Sequence, residues 1–167
     1  GAGEFGHTVV QPGGRPCTCG KRGCLETLVG DPGLLLTAQE AVIRSELATA
    51  PASIEALVRL ATDGSVAAQA ILAEAGVCLG TALAGAIQIL NPRRIIVGGG
   101  GVALGDWFFA ALRRALREQT MPLLYADLDL LIEPWGNEAW ARGAASLALL
   151  ELFESPIHRE RATAEGP

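Results

Sequence analysis

Charge and aromatic rings are both scarce in this chain. Of its 167 residues only 19% are Asp, Glu, Lys or Arg and 5% are aromatic, while half are apolar. With a mean hydropathy of +0.32, that is the composition of a soluble globular domain, long enough for one proper core. Basic residues are the minority, 13 against 18 acidic, for a net charge of −5. This argues against a nucleic-acid surface spread over these residues, though not against a DNA-binding module on another segment. No uninterrupted apolar run approaches the roughly 18 residues of a membrane span. The richest stretch, residues 67–90, is broken by Gln69, Glu74, Gly76, Gly80, Gly85 and Gln88, so no membrane partner is expected. No basic segment followed by an apolar one marks a secretory signal, and a cytoplasmic setting is expected. There the four cysteines are thiols or metal ligands rather than disulfides.

What is present alternates between helix and strand patterns. Residues 1–23 are rich in Gly and Pro, with one β-prone run at residues 8–10. Leu25, Leu28 and Val29 share a helical face, stopped by Gly30, Asp31 and Pro32. A second helix is predicted over about 33–48. Ser53 reads as the N-cap of a third, with Ile54, Leu57, Val58 and Ala61 inward. Ser65 caps a long fourth that reaches about Leu90, apolar all round and therefore expected to be buried at the centre. Asn91 and Pro92 end it, and residues 93–97 read as a strand followed by Gly98, Gly99, Gly100 and Gly101. A helix over 106–118 puts Phe109, Leu112, Ala115 and Leu116 inward. Residues 128–132 form a strand and 138–153 a last helix. Residues 1–154 make one domain and 155–167 a flexible tail. This order points to a layered α/β domain. Three short strands make a poor sheet, so further strands before Gly1 are expected to complete it.

The sharpest chemical signal is His7, Cys17, Cys19 and Cys24 within eighteen residues of a polar, Gly- and Pro-rich loop. Three thiols and an imidazole form a closed tetrahedral zinc set, in which the ion is structural and has no open position to activate water. The competing reading is a flexible loop with three free thiols. Cys78, mid-helix between Val77 and Leu79, reads as a core residue. Glu4 and Glu26 are tied to the same loop, where fixed carboxylates suit acceptance of hydrogen bonds from sugar hydroxyls. Solvated or backbone-capping carboxylates are the other reading, and spacing leaves the two open. Trp107 is expected at an interface; Trp135 and Trp140 suit either core or interface.

Gly3-Glu4-Phe5-Gly6-His7, then Cys17-Thr18-Cys19-Gly20-Lys21-Arg22-Gly23-Cys24-Leu25-Glu26, resembles the signature of the ROK family (repressors, open reading frames and kinases). The likeness extends through Asn91-Pro92, the strand and glycine loop at 95–101, and Gly143-Ala144-Ala145. It implies the C-terminal lobe of an actin-like, ribonuclease-H-like ATPase-type fold with an inserted zinc loop. It also implies sugar contacts from Glu4, His7 and Glu26, zinc on His7, Cys17, Cys19 and Cys24, and a nucleotide-facing loop at Gly98, Gly99, Gly100 and Gly101. A glycine run without Lys, Ser or Thr is also what a tight strand-to-helix turn looks like.

Kinase members of the family need a phosphate loop and a catalytic Asp from an N-terminal lobe, and neither motif occurs in these residues. Leu25-Glu26-Thr27-Leu28-Val29-Gly30 resembles the regulator branch, where kinases more often show Glu-Ala-Tyr-Ala-Ser. Residues 135–145 depart from the Asp-Ala-Gly form of many kinases. The resemblance therefore implies a sugar- or amino-sugar-responsive repressor, at least a homodimer, that meets operator DNA through an N-terminal domain outside this chain. The competing expectation is an ATP- and magnesium-dependent hexose kinase. A third, a ligand-free zinc-stabilised interaction module, has no use for Glu4 and Glu26.

Overall fold

The computed structural model describes residues 3–135 and 138–153. The expected tail at 155–167 and residues 136–137 lie outside them, as does the side chain of Trp140. The expected α/β class holds, with helices dominating.

The chain begins with a loop containing a 3-10 turn at Phe5–His7, then α1 (Glu26–Val29), α2 (Asp31–Ile43), α3 (Ile54–Thr62) and α4 (Val66–Leu90). Next come β1 (Arg94–Gly98), a 3-10 turn at Gly100–Leu104, α5 (Gly105–Gln119), α6 (Pro122–Ala126), β2 (Asp129–Glu133) and α7 (Glu138–Phe153).

Local chemistry sets most boundaries. Ser53 and Ser65 cap α3 and α4, each hydroxyl oxygen accepting from an amide three residues on, at 3.3 Å. Asn91 closes α4 in the left-handed conformation (φ 45°), and Pro92 follows. Gly30 does end α1, but the expected start of α2 is corrected. Pro32 sits in the first turn of α2, where its missing N–H costs nothing. That helix stops at Ile43 rather than near 48, because Ser45 turns to φ 62° and the amides of Glu46 and Leu47 fold back onto the Ala41 carbonyl.

α4 does sit centrally, packing against α1, α2, α3 and α5, but the expectation that it is buried all round needs correcting. Its buried positions, Ala68, Ile71, Leu72, Ala75, Gly76, Gly80, Ala84 and Ile87, form one stripe, while Ala70, Glu74, Thr81, Gly85 and Gln88 are exposed. Small residues made the sequence look apolar all round, yet they leave little surface that must be hidden. Among described helices α4 alone is long and apolar enough to span a bilayer, despite its interruptions. Its stripe is occupied by the core packing against α5 and α3. At the α5 crossing a Cβ on Gly80 would come within 2.6 Å of the Leu112 carbonyl, so the backbones meet without side chains between them. Phe108, Phe109, Leu112 and Leu116 of α5 fill the same core.

β1 and β2 pair in parallel, Arg94 opposite Asp129 through Gly98 opposite Glu133, joined by the crossover through α5 and α6. Residues 8–10 were expected as a strand. Among the described residues Val9 makes only an isolated antiparallel bridge to Cys24, because the chain turns away at Gln11 to build the loop. α7 forms as expected, with Leu147, Leu149, Leu150, Leu152 and Phe153 exposed. Trp107 is 48% exposed, and Cys78 is only partly buried rather than core.

Candidate metal centre and ligand cleft

The loop before α1 is built by backbone hydrogen bonds that force its side chains together. The 3-10 turn bonds Phe5 to Gly3, His7 to Glu4 and Thr8 to Phe5, which sets Glu4 and His7 on one side. The chain then runs beside Cys24: the Leu25 amide donates to the Thr8 carbonyl at 2.9 Å, and the Val10 amide to Gly23 at 2.9 Å. Gly23 holds φ 76°, and a Cβ there would overlap the Gln11 carbonyl. A tight turn returns Cys17 onto Lys21, amide to carbonyl at 2.9 Å, with Gly20 at φ 87°. Lys21 Nζ donates to the His7 carbonyl at 2.7 Å and ties the turn to the imidazole strand.

The outcome is that one ligand atom from each of His7, Cys17, Cys19 and Cys24 lies within 4.8 Å of all the others. Tetrahedral coordination with Zn–S of about 2.3 Å and Zn–N of about 2.0–2.1 Å spaces ligand atoms about 3.5–3.8 Å apart. Cys19 Sγ to Cys24 Sγ is 3.6 Å and Cys17 Sγ to His7 Nδ1 is 3.5 Å. Donor set and spacing both fit a zinc ion. Burial and the neighbouring thiols push the Cys24 thiol up to about 11, whereas the backbone N–H of Lys21 holds Cys19 below its ordinary value. A thiol as high as Cys24 is neutral at pH 7, so an added cation is what would turn it into a ligand.

Glu4 and Glu26, left open by spacing, converge on His7 from different sides. Glu4 Oε2 is 3.7 Å from Nε2, and Glu26 Oε2 is 3.3 Å from Nδ1. The ring therefore presents Nδ1 to Cys17 and Glu26 and Nε2 to Glu4. Glu26 also stands 3.7 Å from Cys17 Sγ, on the thiol side of the ring, a position that sequence spacing did not reveal. An ion at Nδ1 would displace it from that nitrogen. Glu26 then has somewhere to go: it lines a cleft of about 500 Å³ with Cys17, Thr27, Asp31 and Leu36.

Gly98, Gly99, Gly100 and Gly101 are brought together elsewhere, at the end of β1, packed beside α3 and α5. Gly99 needs its glycine for φ 85°; at Gly99, Gly100 and Gly101 an added Cβ would meet nothing within 4 Å. Gly98 differs, since the Trp135 ring lies on it at 2.8 Å from where a Cβ would stand. Sequence reading missed this contact and also missed Arg15, a cation planted between two ligands of the loop. Its position there, among glycines and prolines, was the available signal.

The ROK family profile matches residues 1–151. The chain is 30% identical over 145 residues to the DNA-binding transcriptional repressor Mlc of Escherichia coli, covering 85% of this chain and 36% of that protein. It is 34% identical over 155 residues to a glucokinase of Halalkalibacterium halodurans, covering 87% and 47% respectively. Among solved structures, a ROK family transcriptional regulator, a homologue of the Escherichia coli Mlc protein, superposes with a TM-score of 0.73 at 28% identity, over 81% of this chain and 35% of that one. The chain thus spans less than half the length of the curated relatives it matches.

Proposed function

This chain belongs to the ROK family, and on that premise we propose that it is the sugar-sensing, zinc-holding C-terminal lobe of a cytoplasmic transcriptional repressor. The observation that carries the reading is the shared imidazole: His7 faces the cysteine cluster with Nδ1 and Glu4 with Nε2. One ring thereby joins an architectural centre to a hydrogen-bonding edge. Bound at His7, Cys17, Cys19 and Cys24, zinc would supply a rigid cross-link with all four positions filled by protein. Glu4, the Nε2 edge of His7 and Glu26 then accept or share hydrogen bonds with the hydroxyls of a sugar or amino sugar. In this reading the remainder of an actin-like fold, including the strands that complete the sheet, closes the cleft from upstream. Sugar held across the cleft favours one state of a homodimer or higher oligomer and so changes its hold on operator DNA. Relatedness to Mlc and the regulator-like residues 25–30 support this choice.

A kinase reading is kept because a glucokinase matches at 34% identity and because open space borders Gly99, Gly100 and Gly101. There ATP with magnesium would face the glycine loop, and the catalytic base would come from the other lobe. Trp135 on Gly98 and the absent Asp-Ala-Gly weigh against it.

The test is calorimetric titration of the full-length protein with D-glucose and N-acetyl-D-glucosamine, beside a coupled ATP-hydrolysis assay. Sugar binding that releases operator DNA, without phosphorylation, is the expected result. Glu4→Ala should weaken that binding by about tenfold, the scale of one charged hydrogen bond. Turnover of ATP with either sugar overturns the repressor reading. Unchanged affinity in Glu4→Ala overturns the assigned ligand edge and favours a zinc-stabilised interaction module.

A further inference from the structure

Arg15 carries no metal-ligand atom, yet it makes more side-chain hydrogen bonds than its neighbours in the loop. Its side chain is only 18% exposed. Nη1 lies 3.1 Å from the Thr27 carbonyl, 3.0 Å from the Gly33 carbonyl and 3.0 Å from Thr37 Oγ1. Nη2 donates to Glu40 Oε2 at 2.7 Å. Three acceptors crowd the two protons of Nη1, so one of these bonds is shared. Thr37 Oγ1 in turn donates to the Gly33 carbonyl at 2.9 Å, which closes a small network.

These acceptors are not arbitrary. Thr27 belongs to a four-residue helix that ends at Val29, so its carbonyl is one of the orphans every helix C-terminus leaves. At Gly33 a Cβ would collide with that same carbonyl, so α2 sits directly against α1 there. The guanidinium therefore fills the joint of the helix pair that carries Glu26. Meanwhile the Arg15 carbonyl accepts from the Gly23 amide at 2.8 Å, beside Cys24. A single residue grips the ligand loop with its backbone and the Glu26 helix pair with its side chain.

We infer that Arg15 is a positioning residue that holds the metal loop in register with α1 and α2, through the planar fork of its guanidinium rather than through its charge alone. The metal half of this inference stands on the loop geometry, whereas the ligand half rests on the sugar-sensing reading. A lysine at this position keeps a point charge near Glu40, but its donors all radiate from one nitrogen and cannot span Glu40 and the Thr27, Gly33 and Thr37 acceptors as the two nitrogens of the fork do. Loop and helix pair then move independently while all four metal ligands remain.

The experiment uses the full-length, zinc-loaded protein and its Arg15→Lys and Thr37→Val variants, with Arg94→Gln as a control that removes an ion pair far along the chain. The first readout is the rate of zinc transfer to a chromophoric chelator, well below the unfolding transition. Arg15→Lys should release zinc about tenfold faster, the low end for residues that support a metal site from behind. Thr37→Val should show a smaller acceleration and Arg94→Gln none. The second readout is affinity for D-glucose and N-acetyl-D-glucosamine, expected to fall in Arg15→Lys. Zinc release at the wild-type rate from folded Arg15→Lys overturns the inference, even if its denaturation midpoint drops, because Arg15 would then only stabilise the helix pair. If Arg15→Lys does not fold, Thr37→Val carries the test, and an unchanged rate there overturns it. Faster release in a protein whose wild type binds neither sugar leaves Arg15 as the anchor of the loop and removes the sugar reading instead.

Discussion

The loop at 7–24 that gathers the cysteines and the loop after β1 are both rich in glycine, but for opposite reasons. In the cysteine loop glycine relieves crowding: a Cβ on Gly23 would overlap the Gln11 carbonyl, and one on Gly14 would stand 2.9 Å from it. After β1, Gly99, Gly100 and Gly101 border open space. The first loop is compressed so that His7, Cys17, Cys19 and Cys24 meet; the second is left bare, so anything it does is done by backbone. Side-chain chemistry can be read from such a compressed loop, whereas a bare loop offers only room.

The largest expected effect tests whether the compression exists for the metal. Cys24→Ser should lower bound zinc by well over tenfold, since losing a ligand exceeds the 10–100-fold loss typical of its supporting residues. Elemental analysis of the purified protein measures it. Far-ultraviolet circular dichroism should stay near wild type, because α3, α4 and α5 share a core that does not include the loop. Full zinc occupancy in the variant would break the comparison at its root. A medium effect tests crowding directly. Gly23→Ala combines φ 76° with a clash against backbone and should destabilise by about 2–3 kcal/mol, while Gly100→Ala should stay within about 0.5 kcal/mol. Urea denaturation of the pair, followed by tryptophan fluorescence, compares them, and equal losses would erase the distinction between the loops. The smallest effect lies at the strand pair beneath the bare loop. Arg94 Nε meets Asp129 Oδ2 at 2.9 Å with both side chains about half exposed. Arg94→Gln should therefore cost about 0–1 kcal/mol, read from the same denaturation curves.

Legibility followed the same divide. The serine caps at 53 and 65, the Asn91 stop and the inward face of α5 were visible, because each depends on residues within a turn or two of one another. The start of α2 was misjudged because Pro32 both ends one pattern and suits the first turn of the next. The burial of α4 was misjudged because alanine and glycine score as apolar whether or not anything covers them. The convergence of His7, Cys17, Cys19 and Cys24 was legible from spacing and residue type. The side of His7 on which Glu26 stands was not, since it depends on how α1 leaves the loop, and the four anchors of Arg15 lie 12, 18, 22 and 25 residues away.

By itself the sequence determined the family, the candidate ligand set and the order of most helices and strands, because those follow from residue chemistry and short-range periodicity. Only the tertiary structure decided the arrival of Glu26 at the imidazole nitrogen opposite the one Glu4 reaches through its own local turn, the placing of Trp135 over Gly98, and the knitting of loop to helices by Arg15. Each of these is a contact between backbone segments brought together by packing, and no local pattern encodes the angle at which they meet.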